Sequence, residues 1–598
     1  MIRSVYEIGL LHKDEFDETQ LLTEEPGKKY TRVITINLQT ENNYLVYKGC
    51  TLKNESNVVN YLYRRTPPAR RDPYSLTLKP SKKGPKGVVE RFIKYCDVHP
   101  EELTNSIKGI FTENFEEIVE DIEEQAKQIG NKKDELYFIT VLIDDKFVGE
   151  IKEFRSIFLR EVQKLPNSRQ GICFLCRKGT KVGARISDIF KFATIDQPGF
   201  AHKMSKKSHD ITMPLCPECF SKLALGKKIA DSKLVLSFYD SQVYILPRFY
   251  GERIGKNLQF TERNLAAFKN LTKTFRGEDG KYEKFESRLI RKLSKGESYS
   301  TLNFVFFVKA RGKDEVKIYL NIEDVPPSRM KAIANTADSV EAELKSCGSP
   351  RIRFMTLWKV FKGYTQLKKK SSDNPVPPSN FLKFIRSIFS GTKFDLDIYK
   401  RSSMRYFYSL KMNANEEEQK IVPFEKSAIV AMGYFLDRFN NPIKGGELDL
   451  SKPKEILLED YFGRYPGFFL SDDLKLSFII GMIHSLIVDI QKDQGYTSTA
   501  DLRIKGYRMK PDDLKKHLTY LRDKFKHYSK KIKNSTHTAF IEKLFEIAGS
   551  YQVSAGLKWE SSLIDINYAF LCGEASKRLL MGSSAKEDNS ENTEGEEE

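Results

Sequence analysis

The sequence predicts an α+β multi-domain protein whose mixed N-terminal part carries a four-cysteine insertion and precedes an all-α helical bundle. Short segments in the first part alternate with the period of β-strands. Two CxxC motifs interrupt them, and beyond residue 380 only helical periodicity remains. The length of 598 residues and an apolar fraction of 40% leave room for several packed domains.

The elements divide the chain into six segments. They are an N-terminal α+β region (1–165) with a basic loop (64–91), a four-cysteine segment (166–230), an α+β region with hairpins (231–365), a linker (366–380), a C-terminal helical bundle (381–581) and an acidic tail (582–598). The linker is polar and proline-rich, and the tail is dense in glutamate, so we expect the tail to be disordered.

The strand and helix predictions of the first part rest on local pattern. Alternation predicts three hairpins, at 30–50, at Leu234–Phe238 with Gln242–Leu246, and at Phe304–Ala310 with Val316–Ile322. A buried strand is expected from Leu136, and helices are expected over 101–131 and near Glu150–Lys164.

The four cysteines Cys173, Cys176, Cys216 and Cys219 form two CxxC knuckles separated by 39 residues. Two knuckles supply four thiolates, which complete a tetrahedral site for structural Zn²⁺ and leave no open position for catalysis. The sequence therefore predicts a zinc-ribbon-like insertion, with a degenerate site or a redox pair as the alternatives. The other four cysteines are isolated, and we expect ordinary thiols there.

Positive charge dominates the chain, with a formal net charge of +18, and favours a polyanionic partner. The window 64–91 holds nine bases and two acids, interrupted by five prolines. We expect a basic loop without a long helix, with Tyr74 as an aromatic contact for nucleic acid; a merely solvated loop is the alternative. The candidate nucleic-acid-binding residues here are Arg64, Arg65, Arg70, Arg71, Lys82, Lys83 and Lys86.

A second basic window, 503–533, holds twelve bases and three acids. Its apolar residues recur at steps of three and four from Leu514 to Ile532, which predicts an amphipathic helix that begins near Pro511. The outer face would be almost purely cationic, which is unusual for a structural helix and favours phosphate contact. The candidate residues are Lys515, Lys516, Arg522, Lys524, Lys526 and Lys530.

Catalytic motifs are missing from the sequence. There is no GxxxxGK[ST], HExxH or GxSxG motif, His209-Asp210 lacks a second metal motif, and Gly445-Gly446-Glu447-Leu448 lacks both aspartates of a GGDD loop. Asp144-Asp145 follows a strand, where nuclease carboxylates also occur. We expect a binding subunit and no enzyme.

The segment from Cys173 to Lys228 contains the first CxxC, the run Phe192-Ala193-Thr194-Ile195-Asp196-Gln197-Pro198-Gly199-Phe200, the run around Cys216 and Cys219, and Gly226-Lys227-Lys228. With these features the segment resembles the CRISPR-associated large subunit of type I-B Cascade. Phe478-Ile479-Ile480-Gly481-Met482 and Tyr568-Ala569-Phe570-Leu571-Cys572-Gly573 resemble that family's helical C-terminus.

The resemblance implies a subunit that recognises a protospacer-adjacent motif, aids strand opening and recruits a helicase–nuclease. Its implied partners are the guide crRNA, double-stranded target DNA, and the backbone, guide-end and small subunits of Cascade; the bundle itself would resemble a small subunit. A zinc-ribbon factor in RNA processing or transcription is the runner-up, and a divergent nuclease or cyclase-type subunit is the third reading. No signal-peptide core or membrane span is evident, so we expect a cytoplasmic protein without membrane contact.

Overall fold

The computed structural model divides the chain into two compact units, Met1–Leu234 and Val235–Glu598. The residues it describes are 1–12, 19, 22–24, 27, 30–54, 57–64, 72–80, 83–129, 136–164, 168–183, 186–190, 213–249, 259, 262–263, 290–291, 293, 295, 300–309, 316–347, 350–368, 377–442, 448–449, 451–495, 499–504, 506–529 and 535–579. Most of the predicted linker and the whole acidic tail therefore lie outside the described residues.

A five-stranded mixed sheet forms the centre of the first unit. Its strands are β1 (Tyr30–Glu41), β2 (Tyr44–Asn54), β3 (Thr77–Leu78), β4 (Leu136–Ile143) and β5 (Lys146–Phe147). The order is β2-β1-β4-β3, with β5 paired to β4, and only the pair β1–β4 is parallel. Asn42 and Asn43 take positive φ between β1 and β2, as a two-residue hairpin turn requires. The predicted hairpin and buried strand are confirmed.

Four helices follow the sheet strands of this unit: α2 (Gly84–Val98), α3 (Glu102–Glu113), α4 (Phe115–Ile129) and α5 (Lys152–Gln163). Helices α2, α3 and α4 lie between β3 and β4 in the chain, and α5 follows β5. Their buried side chains form one core with the sheet, including Phe92, Ile107, Ile118 and Phe154.

Helix α2 corrects the prediction that no long helix occurs within the basic loop. The helix begins at Gly84 and continues through Arg91 to Val98. Pro85 lies in its first turn, where the missing N–H has no helical partner to lose, so this proline starts the helix instead of breaking it.

The first helix of the chain, α1 (Ile2–Leu11), packs against a much later helix of the same unit. After α6 (Ile186–Ile189), helix α7 spans Pro217–Lys233. A Cβ on Gly9 would lie 1.8 Å from the Lys222 carbonyl oxygen, and one on Gly226 would lie 1.7 Å from that of Val5. The two backbones therefore touch at a crossing that admits only glycine.

The second unit begins with a four-stranded antiparallel sheet. Its strands are β8 (Val235–Phe238), β9 (Ser241–Phe249), β10 (Ser300–Lys309) and β11 (Val316–Val325), in the order β11-β10-β9-β8. Both predicted hairpins are confirmed, and the pairing of β9 with β10 joins them into one sheet. Local alternation could not reveal that joining, since the pairing connects segments about fifty residues apart.

Helices fill the rest of the second unit. They are α8 (Pro327–Glu343), α9 (Phe354–Lys362), α10 (Tyr364–Leu367), α11 (Ser379–Ser390), α12 (Leu396–Asn413), α13 (Glu416–Asn440), α14 (Lys454–Arg464), α15 (Asp472–Asp493), α16 (Thr499–Leu502), α17 (Pro511–Ser529), α18 (Ser535–Ala555) and α19 (Leu563–Ala575). The helical region thus begins at Pro327, earlier in the chain than the boundary of 381 chosen from the sequence. Helix α15 is the most deeply buried and approaches α19 closely at Gly481 and Gly573.

The α+β N-terminal part, the cysteine cluster and the helical C-terminal region agree with the predicted fold class. Among the described residues, no helix is long and apolar enough to cross a membrane.

Candidate metal centre and basic surfaces

The first CxxC motif lies in the turn of a small hairpin formed by β6 (Arg169–Ile172) and β7 (Gly179–Val182). The Cys173 N–H donates to the Lys178 carbonyl at 3.0 Å, and the Arg177 N–H donates to the Cys173 carbonyl at 3.0 Å. Arg177 has a φ of 62°, which turns the chain back after the second cysteine. These bonds hold both thiols of the knuckle on the inner side of the turn.

The second motif begins helix α7. Cys216 is the N-cap of this helix, Pro217 follows in its first turn, and Cys219 lies in the same turn. Gly183 and Leu215 pair through two backbone hydrogen bonds of 2.9 and 3.0 Å, which join the end of β7, after the first knuckle, to the residue before the second. This bridge explains how knuckles 39 residues apart in sequence come together.

The four sulfurs all lie within 4.8 Å of one another, and Cys176 Sγ is 3.9 Å from Cys216 Sγ. Sulfurs bound to one tetrahedral ion at 2.3 Å would be about 3.8 Å apart, so the cluster could hold a single metal ion. Among the described residues this is the one group of three or more metal-ligating side chains close enough to do so.

The backbone favours thiolate at the first cysteine. Burial raises the pKa of Cys173, but N–H donors from Cys176, Cys216 and Leu175 outweigh it and lower that pKa to about 7. The Cys216 N–H lies 3.4 Å from the Cys173 sulfur. Such N–H···S bonds stabilise a thiolate and are the expected outer support of a metal ligand.

Tyr6 on α1 completes the surroundings of this centre, and sequence reasoning missed it. Its hydroxyl lies 3.6 Å from Cys219 Sγ. Burial, followed by the hydrogen bond with Cys219, raises the pKa of Tyr6, so the hydroxyl keeps its proton. The signal was beyond reach because 213 residues separate the two positions.

The structure describes three of the seven candidate residues in the first basic window. Lys83 precedes α2 and pairs with Glu90 at 3.4 Å. Lys86 lies on α2, with its Nζ 5.8 Å from the Phe115 ring centre. Arg65, Arg70, Arg71 and Lys82 lie outside the described residues.

Arg64 is tied into the fold of the first unit. Its guanidinium donates to the Leu22 carbonyl at 2.7 Å and lies 5.7 Å from the Tyr74 ring centre. Tyr74 itself is buried in the core, with 3% of its surface exposed. The expectation that Tyr74 serves as an exposed aromatic in the basic loop is therefore wrong, because the ring packs under the sheet instead.

Helix α17 has the predicted amphipathic form. Its apolar stripe is buried at Leu514, Leu518, Leu521, Phe525 and Tyr528, while Ile532 lies outside the described residues. The cations occupy the remaining surface: Lys516, Arg522 and Lys526 are exposed, and Lys515 and Lys524 are half-buried. Lys530 is outside the described residues.

Two of these cations lie beside neighbouring aromatic rings. Lys515 donates to the Leu557 carbonyl at 2.6 Å and lies 5.4 Å from the Trp559 ring centre. Arg522 lies 5.5 Å from the ring centre of Phe545. Cation–π contact of this kind holds a side chain near the surface without neutralising its charge.

Tyr520 adds an aromatic to the cationic face that the sequence analysis did not identify. Arg503 lies 4.0 Å from its ring centre and Lys524 lies 5.6 Å from it. The ring is half-exposed. Stacked bases and phosphates are bound by this combination of an accessible ring and flanking cations. Tyr520 lies between the buried Leu518 and Leu521 on the helix, so the sequence pattern did not indicate that its ring is accessible.

A buried polar network lies behind this face. His484 on α15 places Nδ1 3.1 Å from Nε2 of His517 on α17, and its Nε2 lies 3.2 Å from the carboxylate of Glu574. Tyr507 donates to the same carboxylate at 2.6 Å. Burial lowers the pKa of His484, but Asp501 and Glu574 outweigh it and raise that pKa, so this imidazole is held in its charged form.

His517, in contrast, is held in its neutral form. Burial first, and then the charge of His484, lower its pKa to about 3, so it stays neutral. Glu574 stays ionised: burial raises its pKa, but Lys426, His484 and Tyr507 lower it to about 2. The network is a set of mutually compensating charges inside the bundle, and no histidine pattern in the sequence indicated it.

Asp144, the first carboxylate of the candidate nuclease pair, is bound within the fold. Its two oxygens accept from the Thr40 N–H at 2.7 Å and the Thr40 hydroxyl at 2.8 Å. Asp144 and Asp145 both have positive φ in the turn between β4 and β5. The pair therefore forms a turn. His209, Asp210 and the Gly445–Glu447 segment lie outside the described residues.

Comparison with known proteins places these features in a class. A search of curated proteins gives no match. Three family models do match: the N-terminal domain of CRISPR-associated protein TM1802 over residues 1–160, its central domain over 170–325 and its C-terminal domain over 352–588.

These matches define a CRISPR-associated protein, and they run through both compact units. In particular, the chain belongs to the CRISPR-associated TM1802 family, which supports the role of a Cascade large subunit. The resemblance found in the sequence is confirmed. The central model includes all four cysteines, and the C-terminal model includes the whole of α17.

Proposed function

We propose that the chain is the non-catalytic large subunit of a type I-B CRISPR RNA-guided DNA surveillance complex, in which it recognises the protospacer-adjacent motif, aids strand opening and recruits a helicase–nuclease. The observation that carries the proposal is the succession of three domain models of one CRISPR-associated family along the chain. The partners are the guide crRNA, the duplex target, the other Cascade subunits and the effector, and the complex acts in the cytoplasm.

The cationic face of α17 is assigned to the opened DNA. A guide reads sequence by base pairing, so the protein needs only to hold the strands by their backbones. Lysine acts as a point charge toward phosphate and lacks the planar fork that reads guanine. The exposed Lys516 and Lys526, with Arg522 and the half-exposed ring of Tyr520, suit a strand whose bases vary.

The basic loop is assigned to duplex DNA near the motif. Arg65, Arg70 and Arg71 carry the charge, while Arg64 also supports the fold through Leu22 and Tyr74. An arginine that reads a guanine edge contributes roughly 1–3 kcal/mol of discrimination. Substitution of Arg65, Arg70 and Arg71 therefore tests motif reading while the contacts of Arg64 with Leu22 and Tyr74 stay in place.

The metal of the cysteine centre is proposed to be zinc with a structural role. Four sulfur ligands and tetrahedral spacing are the preference of Zn²⁺, and four protein ligands leave no site for a reactive water. Cys173, Cys176, Cys216 and Cys219 would hold the ion between the hairpin β6–β7 and the start of α7.

The test uses the complex, co-expressed with the products of neighbouring genes and purified with its guide. The variant Lys516→Glu, Arg522→Glu and Lys526→Glu reverses three exposed charges on α17. Strand opening, followed by permanganate reactivity of the displaced strand, should fall for all matched targets. The slope of log affinity against log salt should lose about 2, at about 0.7 for each single-strand phosphate contact.

A matched control reverses three exposed lysines elsewhere in the second unit: Lys331→Glu, Lys383→Glu and Lys393→Glu. It carries the same change in net charge and should leave strand opening and the salt slope near wild type. A complex that contains no guide RNA would contradict the proposed function as a whole. If the α17 variant changes motif choice and leaves strand opening intact, that helix does not hold the opened strand.

A further inference from the structure

The outer side of the first cysteine knuckle is an exposed surface that the metal centre does not need. We define the outer knuckle face by five residues, Ile172, Phe174, Arg177, Lys178 and Lys181. Ile172 is 64% exposed and Phe174 is 37% exposed. The three cations are exposed as well. A single exposed apolar side chain needs no explanation, but two of them beside three cations on one small hairpin make this face a candidate ligand site.

The hairpin separates an inner from an outer side by strand alternation. Val182 points inward and is buried, with 1% of its surface exposed. Gln170 pairs with Lys181, and Ile172 pairs with Gly179, so these positions share the outer side. A Cβ built on Gly179 would meet no atom within 4 Å. The surface beside Ile172 is therefore flat and open, with room for a planar ring.

Phe174 is held in place by its backbone. Its N–H donates to the Pro214 carbonyl at 2.7 Å, between two cysteines that the centre fixes. The Arg177 guanidinium lies 5.6 Å from its ring centre. A ring that is anchored at its backbone and exposed at its face can stack on a base with little loss of side-chain entropy.

The charge of this segment has one sign. The sequence from Val162 to Ser187 contains six bases and no acid. In the part of the chain that the structure describes, Arg177, Lys178 and Lys181 form no ion pair with a carboxylate. A divalent metal ion bound by four thiolates would give the centre a net charge of −2. Lys164 already pairs with Glu161, and the five remaining bases still exceed what would balance that charge. The bases in excess can therefore bind phosphates.

From this geometry we propose that the outer knuckle face binds single-stranded nucleic acid: Phe174 stacks on a base, Ile172 packs against its neighbour, and Arg177, Lys178 and Lys181 contact the backbone phosphates. The ligand class follows from the pairing of exposed apolar groups with uncompensated cations, which is the composition of sequence-tolerant single-strand sites. Duplex DNA would present phosphates to the lysines but no free base to Phe174.

The test uses the full-length chain with its metal and without guide or other subunits. Labelled 20-nucleotide oligo(dT) and oligo(U) serve as DNA and RNA probes, and an abasic oligomer of equal charge serves as the probe without bases. Phe174→Ala should weaken binding of the two base-bearing probes by about 5- to 150-fold, the range of a stacked base, and leave the abasic probe unchanged. Phe174→Tyr should restore the affinity.

The charge term is tested separately by Lys178→Ala with Lys181→Ala, which should reduce the salt slope for all three probes by about 1.4. Tyr44→Ala removes an aromatic that is 77% exposed elsewhere in the same unit and should change nothing. Metal content is measured on every variant, so that a variant that has lost its fold is distinguished from one that has lost only oligonucleotide binding. Photocrosslinking with a 5-iodouracil probe should label the peptide Gln170–Arg177.

Two outcomes would overturn the inference. Equal binding by wild type and Phe174→Ala, with crosslinks only outside the hairpin, would remove the site. Loss of metal from the double lysine variant with unchanged oligonucleotide affinity would show that these cations only balance the thiolates. Neither outcome bears on guide-dependent duplex binding by the assembled complex, so failure here and failure of the proposed function are distinguishable.

Discussion

The cysteine centre and the C-terminal helical bundle both carry basic surfaces, but different interactions hold the two surfaces in place. The hairpin β6–β7 has four residues in each strand and exposes Ile172 and Phe174, so apolar burial cannot hold it. Helix α15 buries seventeen of its twenty-two residues, and α17 lays its apolar stripe against such a core. The comparison shows that a cationic surface can be held in place either by metal coordination or by apolar packing. Loss of the metal should therefore disrupt the first surface, and a cavity in the core should disrupt the second.

Removing one thiolate should have the largest effect and should break only the first kind of support. Cys219→Ser should release the metal, because structural zinc contributes on the order of 10 kcal/mol of apparent binding energy. Segment 168–183 should become sensitive to protease, while the bundle stays folded. Metal analysis and limited proteolysis measure both. Cys347→Ser, a cysteine outside the cluster, is the control and should keep its metal.

A cavity in the apolar stripe should break the second kind of support and spare the first. Leu521 is fully buried on α17, so Leu521→Ala should lower the free energy of unfolding by about 2–5 kcal/mol. Both tryptophans of the chain, Trp358 and Trp559, belong to the second unit, so their fluorescence during urea unfolding reports this unit. Thr519→Ala, exposed on the same helix, should stay within about 0.5 kcal/mol of wild type. Loss of metal in Leu521→Ala would show that the two supports are not independent.

The glycine crossing of α1 with α7 tests whether the cysteine centre also depends on backbone packing. Gly226→Ala places a methyl 1.7 Å from the Val5 carbonyl oxygen and should destabilise the first unit by about 1–3 kcal/mol. The effect is read from proteolysis and from metal release to a chelator. Gly109→Ala on α3 meets no atom within 4 Å and should instead stabilise by about 0.5–1 kcal/mol. If both variants behave alike, helix propensity and not contact at the crossing decides the outcome.

The histidine network should give the smallest and most gradual effect, confined to the bundle. His517 is neutral when folded because its pKa is lowered to about 3, and it gains a proton on unfolding below its ordinary pKa of 6.5. Its contribution is therefore complete above pH 6.5 and is lost as pH falls toward 3. Between about pH 6 and 5 the raised pKa of His484 contributes only a small opposing slope, which vanishes as that ring becomes charged in the unfolded state as well.

In that window, stability should fall by up to about 1.4 kcal/mol per pH unit, the linkage of one proton. His517→Gln should flatten the dependence measured by tryptophan fluorescence in urea. His527→Gln, an exposed histidine on the same helix, should retain it. An unchanged slope in His517→Gln would assign the acid sensitivity to other groups.

How far the sequence predicts this molecule depends on the range of the interaction. The hairpins, the stripe of α17 and the four cysteines follow from patterns a few residues long, and the structure agrees with each. Tyr74 was misjudged because a basic neighbourhood says nothing about which way one ring packs. Tyr6, Tyr520 and the pair His484–His517 were missed because each meets its partner only through the tertiary fold.

The contact between Gly9 and Gly226 also sets an order of events during synthesis. The chain's first helix meets its partner only after some 217 further residues have left the ribosome, which takes roughly 10–40 s at about 5–20 residues per second. Until then the contact of α1 with α7 cannot form, although Val5 and Ile8 are buried in the finished fold. The hydroxyl of Tyr6 likewise reaches the cysteine centre only when Cys219, the last of the four ligands in the chain, has been made.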